Sequence, residues 1–145
     1  MNELDDFLAK ILKRQALAEE AIHNGDPTLR LEMWSTNDPV TLFGAWGPCK
    51  SGSAEVARIS RWVASQFSNC IAFDFELVAA GVSGDLAYTV GYEHSTRSLR
   101  GGPVESSTLR VTHLYRRENG EWKIVHRHGD ILPLDQSPPA ETSSI

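Results

Sequence analysis

Hydrophobic positions change their spacing once along this chain. Leu4, Phe7, Leu8, Ile11, Leu12, Ala18, Ala21 and Ile22 recur at helical intervals, with Glu, Lys and Arg filling the other face, which predicts a long amphipathic first helix. "HNGD" supplies its stop at Asn24-Gly25. Asp26 is placed to cap a second, shorter helix with Pro27 at its first position, running through Leu29, Leu31 and Met33 to Trp34. "PVTLFGAWG" reads as a short strand entering a Gly/Pro loop, and "SGSAEVARISRWVASQFSN" as a third helix, capped near Ser51 or Ser53, that turns Val56, Ile59, Val63 and Phe67 inward. From Cys70 onward the period is two. "IAFDFELVAAG", "DLAYTVGYEHSTR", "STLRVTHLYRR" and "EWKIVHRHGDIL" are strands separated by turn-rich "GVSGD", "RGGPVES" and "ENG". Helices followed by a run of antiparallel strands predict an α+β domain, a curved sheet wrapped over helices segregated to one side.

A chain of 145 residues is most simply one domain, here 1–132, followed by a Pro/Ser-rich tail, 133–145, expected to be disordered. The net charge of -5 gives no electrostatic reason for a nucleic acid or an anionic membrane as partner. The N-terminus has neither a basic region nor an uninterrupted apolar run, and no later segment approaches the roughly 20 apolar residues of a membrane span, so a cytoplasmic protein is expected. Cys49 and Cys70 lack CxxC spacing and read as reduced structural thiols. No phosphate-binding, dinucleotide or Gly-x-Ser-x-Gly motif is present, and no cofactor is expected.

The last hairpin is registered by its turn. A two-residue type I′ loop at Asn119-Gly120 sets Glu118 opposite Glu121, Tyr115 opposite Ile124, His113 opposite His126, Thr112 opposite Arg127 and Arg110 opposite Gly129. One face then carries Leu109, Val111, His113, Tyr115, Trp122, Ile124, His126 and His128. The other carries Arg110, Thr112, Leu114, Val125, Arg127 and Gly129. Hydrophobicity alone turns the first of these faces toward the helices.

The order and sizes of the elements, "NGD" after the first helix, "FGAWG…SG" before the third and the closing "RVTHLYRRENGEWKIVHRH" resemble the NTF2-like superfamily over residues 3 to 131. The similarity is to its SnoaL-like and ketosteroid-isomerase-like members and to the association domain of calcium/calmodulin-dependent protein kinase II. It implies an NTF2-like cone, three N-terminal helices on a curved antiparallel or mixed sheet, with a cavity on the concave face and a convex face that dimerises. Laid on this pattern, Thr112, Val125, Arg127 and Gly129 face the cavity, matched by Tyr88, Val90 and Tyr92 on the preceding strand. His113, Trp122, Ile124, His126 and His128 then form a homodimer face.

Arg110 and Arg127, with Thr112, Tyr88 and Tyr92, form a set suited to a carboxylate or other oxyanion. Glu32, Asp38 or Glu93 would instead make either arginine half of an internal ion pair. Trp34, Phe43 and Trp46 are candidate apolar walls for a small, acidic or lipophilic metabolite. His113, His126 and His128 have ligand types for zinc, but the resemblance brings no metal with it. Aligned to a ketosteroid isomerase, the base falls at Phe43 or Gly44, the tyrosine near Ala18 and the acid at Thr112, so that machinery is missing; the carboxylate that epoxide hydrolases need beyond Arg110 is replaced by Thr112. If the cavity is catalytic, His94, Glu93 and Asp130 are the acid/base candidates. The sequence therefore supports a homodimeric cavity protein first. A SnoaL-like cyclase, isomerase or hydrolase and an oligomeric assembly module stand as alternatives.

Overall fold

A computed structural model describes residues 2–140. The elements run α1 (Glu3–Ile22), α2 (Thr28–Met33), β1 (Thr41–Phe43), β2 (Cys49–Ser51), α3 (Ser53–Gln66), β3 (Phe67–Ser83), β4 (Leu86–Leu99), β5 (Val104–Glu118) and β6 (Glu121–Ile131). They form one mixed sheet in the order β2-β1-β6-β5-β4-β3, in which β1 runs parallel to β6 and all other neighbours are antiparallel.

The ends of the helices follow the sequence signals with small shifts. Asn2 caps α1 by accepting from the Asp5 amide at 2.8 Å, and Gly25 at φ 92° follows the helix as expected of a stop. Asp26 does accept from the first helical amide of α2, Thr28, at 3.0 Å, although Pro27 sits at the cap itself. At α3 neither serine caps: the cap position is Gly52, and the Ser53 amide donates to Asp38 Oδ1 at 2.8 Å. A residue fifteen places upstream thereby pins the start of α3 to the loop before β1.

The core lies between the helices and the sheet. Phe7 and Ile11 of α1, Met33 at the end of α2 and Trp34 just after it, Val56 and Ile59 of α3, and Tyr115, Trp122 and Ile124 of the sheet are all buried. Phe7 meets the Tyr115 and Trp122 rings edge-on at 5.2 and 5.1 Å.

The β5–β6 hairpin turns through Asn119 at φ 51° and Gly120 at φ 80°, the left-handed pair of a type I′ turn, and pairs Glu118 with Glu121 and Tyr115 with Ile124 as expected. Beyond that pair the register departs. Val125 is an extra residue, so Leu114 faces His126, His113 faces Arg127, Thr112 faces His128 and Arg110 faces Asp130. The bulge inverts the remainder of β6. Trp122 and Ile124 point toward the helices, and after the bulge Arg127 and Gly129 do as well, while His126 and His128 take the outer, convex side.

Three expectations are corrected by this register. Arg110, Thr112, Tyr88 and Tyr92 do share a face, but it is the outer one: Tyr88 pairs with Leu114 and Tyr92 with Arg110. His113, Trp122 and Ile124, expected at a dimer interface, are 1%, 5% and 0% exposed within the single chain and can meet no partner. Gly129 stands opposite Val111 rather than Arg110, and its bare face lies against the Arg127 guanidinium. Of the expected tail, residues 133–140 form neither helix nor strand, and the last five residues lie outside the described part.

Candidate functional site

The concave side holds an unusual quantity of buried charge. Glu93 on β4 and Arg127 on β6 are 3% and 7% exposed, and both guanidinium Nη atoms donate to the two carboxylate oxygens at 2.8 Å. Burial alone would raise the Glu93 carboxyl, but the Arg127 charge outweighs it and holds the group well below the usual carboxylate range. Burial would lower the Arg127 guanidinium, and Glu93 raises it instead. Gln15 of α1 donates to Glu93 at 3.4 Å.

Arg127 Nη1 also reaches His113 Nε2 at 3.0 Å, which fixes the imidazole tautomer. An arginine can only donate, so Nε2 is the acceptor and the proton sits on Nδ1, directed to the Tyr115 hydroxyl at 3.1 Å. Burial and the adjacent Arg127 push the His113 pKa well below its ordinary value, and burial raises that of Tyr115.

A second pair sits at the end of α1. Glu19, 1% exposed, forms an ion pair with Arg30 of α2. Its backbone carbonyl accepts from His23 Nδ1 at 2.6 Å. The His23 ring is flanked by Phe67 and Phe73 at centroid distances of 4.6 and 5.8 Å. A helix C-terminus ordinarily favours an imidazolium, but here burial dominates the opposing Glu19 and Glu93 and the His23 pKa is lowered.

These groups border a cavity. Ile22, Leu42, Pro48, Ile59, Val63 and Leu109 supply aliphatic wall; Trp46, Trp62 and Phe67 supply aromatic wall; His23, Arg30, Glu93, Arg127, Ser95, Arg97 and Ser107 supply the polar part. It offers about 90 Å³ to the centres of water-sized molecules. A single water needs roughly 15 Å³ by that measure, so the cavity has room for several waters or a small organic group.

Arg97 differs from the other two arginines. It is 7% exposed and forms no ion pair with any described carboxylate. Nη1 donates to the Glu105 carbonyl at 3.2 Å, Nε is buried with no acceptor, and the guanidinium lies 5.0 Å from the Phe67 ring centroid. Burial lowers its pKa. The concave side thus carries Arg30, Arg97 and Arg127 against Glu19 and Glu93, one cation in excess.

The candidates named from the sequence are distributed over both sides of the sheet. Glu93, Arg127 and Trp46 border the cavity. Trp34 is packed in the core next to Ile124. Phe43 is 44% exposed on the convex side, edge-on to His126 and His128. His94 is also convex, bridging Thr108 and Glu76, and Asp130 is bound there by Arg110 through two contacts of 2.7 Å. Arg110, Thr112, Tyr92, His128 and Asp130 border a wider hollow on that side. Its arginine and aspartate are solvent-exposed and satisfy one another, which leaves little charge for a ligand. His113 is separated from His126 and His128 by the sheet, so the three imidazoles do not converge.

Gln15, Glu19, His23, Arg30 and Arg97 were not singled out from the sequence. Gln15, Glu19 and His23 continue the buried stripe of Phe7 and Ile11 at four-residue steps, which is the signal that could have found them. Arg97 follows Glu93 and Ser95 in strand alternation on the inward face.

The SnoaL-like domain model matches residues 14–133, and the chain belongs to that family. A proposed dehydratase of the NTF2-like family from Streptomyces avermitilis is 24% identical, with a TM-score of 0.70 over 89% of this chain and 98% of that one. A ketosteroid isomerase-like protein from Erwinia carotovora atroseptica is 18% identical, with a TM-score of 0.72 over 92% and 99%. A proposed calcium/calmodulin-dependent protein kinase II association domain from Xanthomonas campestris is 13% identical, with a TM-score of 0.63 over 90% and 88%. At these identities the likeness establishes the NTF2-like fold. No curated protein matches the chain.

Proposed function

We propose that the protein binds a small amphipathic metabolite with an acidic group in the cavity between the helices and the concave sheet face. The observation that carries this reading is Arg97: a guanidinium buried without a carboxylate partner is costly, and an anionic ligand would supply the missing charge. Trp46, Trp62 and Phe67 suit the ligand's apolar body. Glu93 and Arg127 neutralise one another and serve as a rigid floor.

Anilinonaphthalene sulfonate, an aromatic anion, tests this against its neutral analogue phenylnaphthylamine, with tryptophan quenching as the signal. Arg97→Met is expected to weaken the sulfonate about tenfold or more, the loss of a charge-assisted hydrogen bond of roughly 1.5–3 kcal/mol, and to leave the neutral compound unaffected. Equal effects on both compounds, or none, would remove Arg97 as the anion anchor.

The convex face supports a homodimer. Phe43, Val78, Leu86, Tyr88 and Leu114 are each more than 40% exposed, with Tyr88 and Leu114 paired side by side, and a partner copy would cover them. Native mass spectrometry is expected to give a dimer that Leu114→Asp converts to monomer. A persistent monomer, or a higher ring, would overturn this arrangement.

A further inference from the structure

We propose that Trp46 is a gate at the mouth of this cavity, carried on the loop between β1 and β2 and latched shut by Arg100, so that a ligand enters and leaves only when the loop swings aside. The gate rests on the cavity-binding reading and adds how the cavity is reached. Gly44 to Pro48 join two strands of only three residues each, and β2 is an edge of the sheet. The Gly44 amide donates to the Pro48 carbonyl and the Gly47 amide to the Gly44 carbonyl, both at 2.9 Å. The loop thus bonds its backbone to itself, and among the described residues no backbone hydrogen bond ties it to a helix or to another strand. Gly47, at φ 103° with open space around it, gives the chain a place to pivot.

Side chains alone hold the indole in place. Trp46 meets the Trp62 ring of α3 edge-on at 5.5 Å and the Phe67 ring at the start of β3 at 5.2 Å, and all three rings border the cavity. Trp46 is half-buried and Trp62 is 39% exposed, so this pair stands where cavity meets solvent. Arg100, which does not line the cavity, closes the arrangement from outside with its guanidinium 5.7 Å from the Trp46 ring centroid.

The arginine is the fixed half of that contact. It sits in the turn between β4 and β5, where Arg100 and Gly101 take φ values of 51° and 71°. Its amide donates to the Gln66 carbonyl at 2.7 Å and its Nε to Gln66 Oε1 at 2.8 Å, which anchors it to the end of α3. The loop has no such anchor, so Trp46 is the half that moves. Few backbone ties, a glycine pivot and a bulky ring held by its neighbours are what a lid that opens by local motion requires.

A wall that only touches the ligand changes how fast the ligand leaves; a gate also limits how fast it arrives. Stopped-flow fluorescence with neutral phenylnaphthylamine separates the two, because the encounter of this probe does not depend on the charge of Arg100. Arg100→Gln is expected to raise the association and dissociation rates together by about two- to fivefold, the worth of an exposed cation–π contact, with affinity kept within twofold. Trp46→Ala is expected to raise the association rate on the order of tenfold, since it removes the ring contacts as well. An association rate unchanged in both variants overturns the gate while leaving cavity binding in place, and Trp46 is then only wall. Failure of both phenylnaphthylamine and the sulfonate to bind the wild-type protein overturns the cavity reading and the gate with it.

Discussion

At the scale of single residues, the Glu93–Arg127 pair is a matched buried charge rather than a surplus one. Removing either partner leaves the other stranded in the core, which costs roughly 3–5 kcal/mol. Arg127→Met and Glu93→Leu are each expected to lose stability of that order in urea titrations, and the double variant is expected to lose less than the two singles together. Additive losses would mean the two groups are not coupled. Arg127 was legible from the sequence as a residue pointing inward, and Glu93 as a possible partner. Glu19 and His23 were not, because a polar residue at a helical core position looks the same as one at a helix edge until the opposing surface is known.

At the scale of elements, the three helices and strands β1 and β3 to β6 were readable nearly to their ends, since each depends on spacing and on local turn chemistry; β2 was not, because three residues paired only to β1 carry no periodicity. The type I′ turn at Asn119-Gly120 fixed the start of the hairpin pairing. What spacing could not reveal was the bulge at Val125. Hydrophobic pattern called for Trp122 and Ile124 inside, the superfamily resemblance called for Arg127 inside, and strict alternation forbids both. One extra residue satisfies both demands by inverting the strand between Ile124 and Arg127. Alternation in β5, with Val111, His113 and Tyr115 inward, puts Arg110 and Thr112 on the outer face, where Asp130 answers the arginine.

At the scale of the whole molecule, the buried polar core makes stability depend on pH. His113 and His23 have folded-state pKa values below 6.5, so the unfolded chain binds protons that the folded one refuses. Their contribution is fully present above pH 6.5 and is lost as pH falls toward their folded values. Each histidine can add a slope of up to about 1.4 kcal/mol per pH unit in that range. Glu93, held below its ordinary value, adds a further loss below about pH 4.5. Urea midpoints between pH 7 and 5 are expected to decline, and His113→Gln to flatten the decline; a flat wild-type profile would contradict the neutral buried imidazoles.

The chain's sequence determined the α+β class, the order of elements and the superfamily, because periodicity and turn residues act locally and survive without knowledge of partners. The tertiary structure decided which side of the sheet each charge occupies. A single unpaired residue in β6 set that parity for Arg127, and only the packing of α1 and α2 over β4 to β6 brought Glu19, His23, Arg30, Glu93, Arg97 and Arg127 from distant places in the chain to one cavity, where low dielectric makes their pairing, or the lack of it, matter.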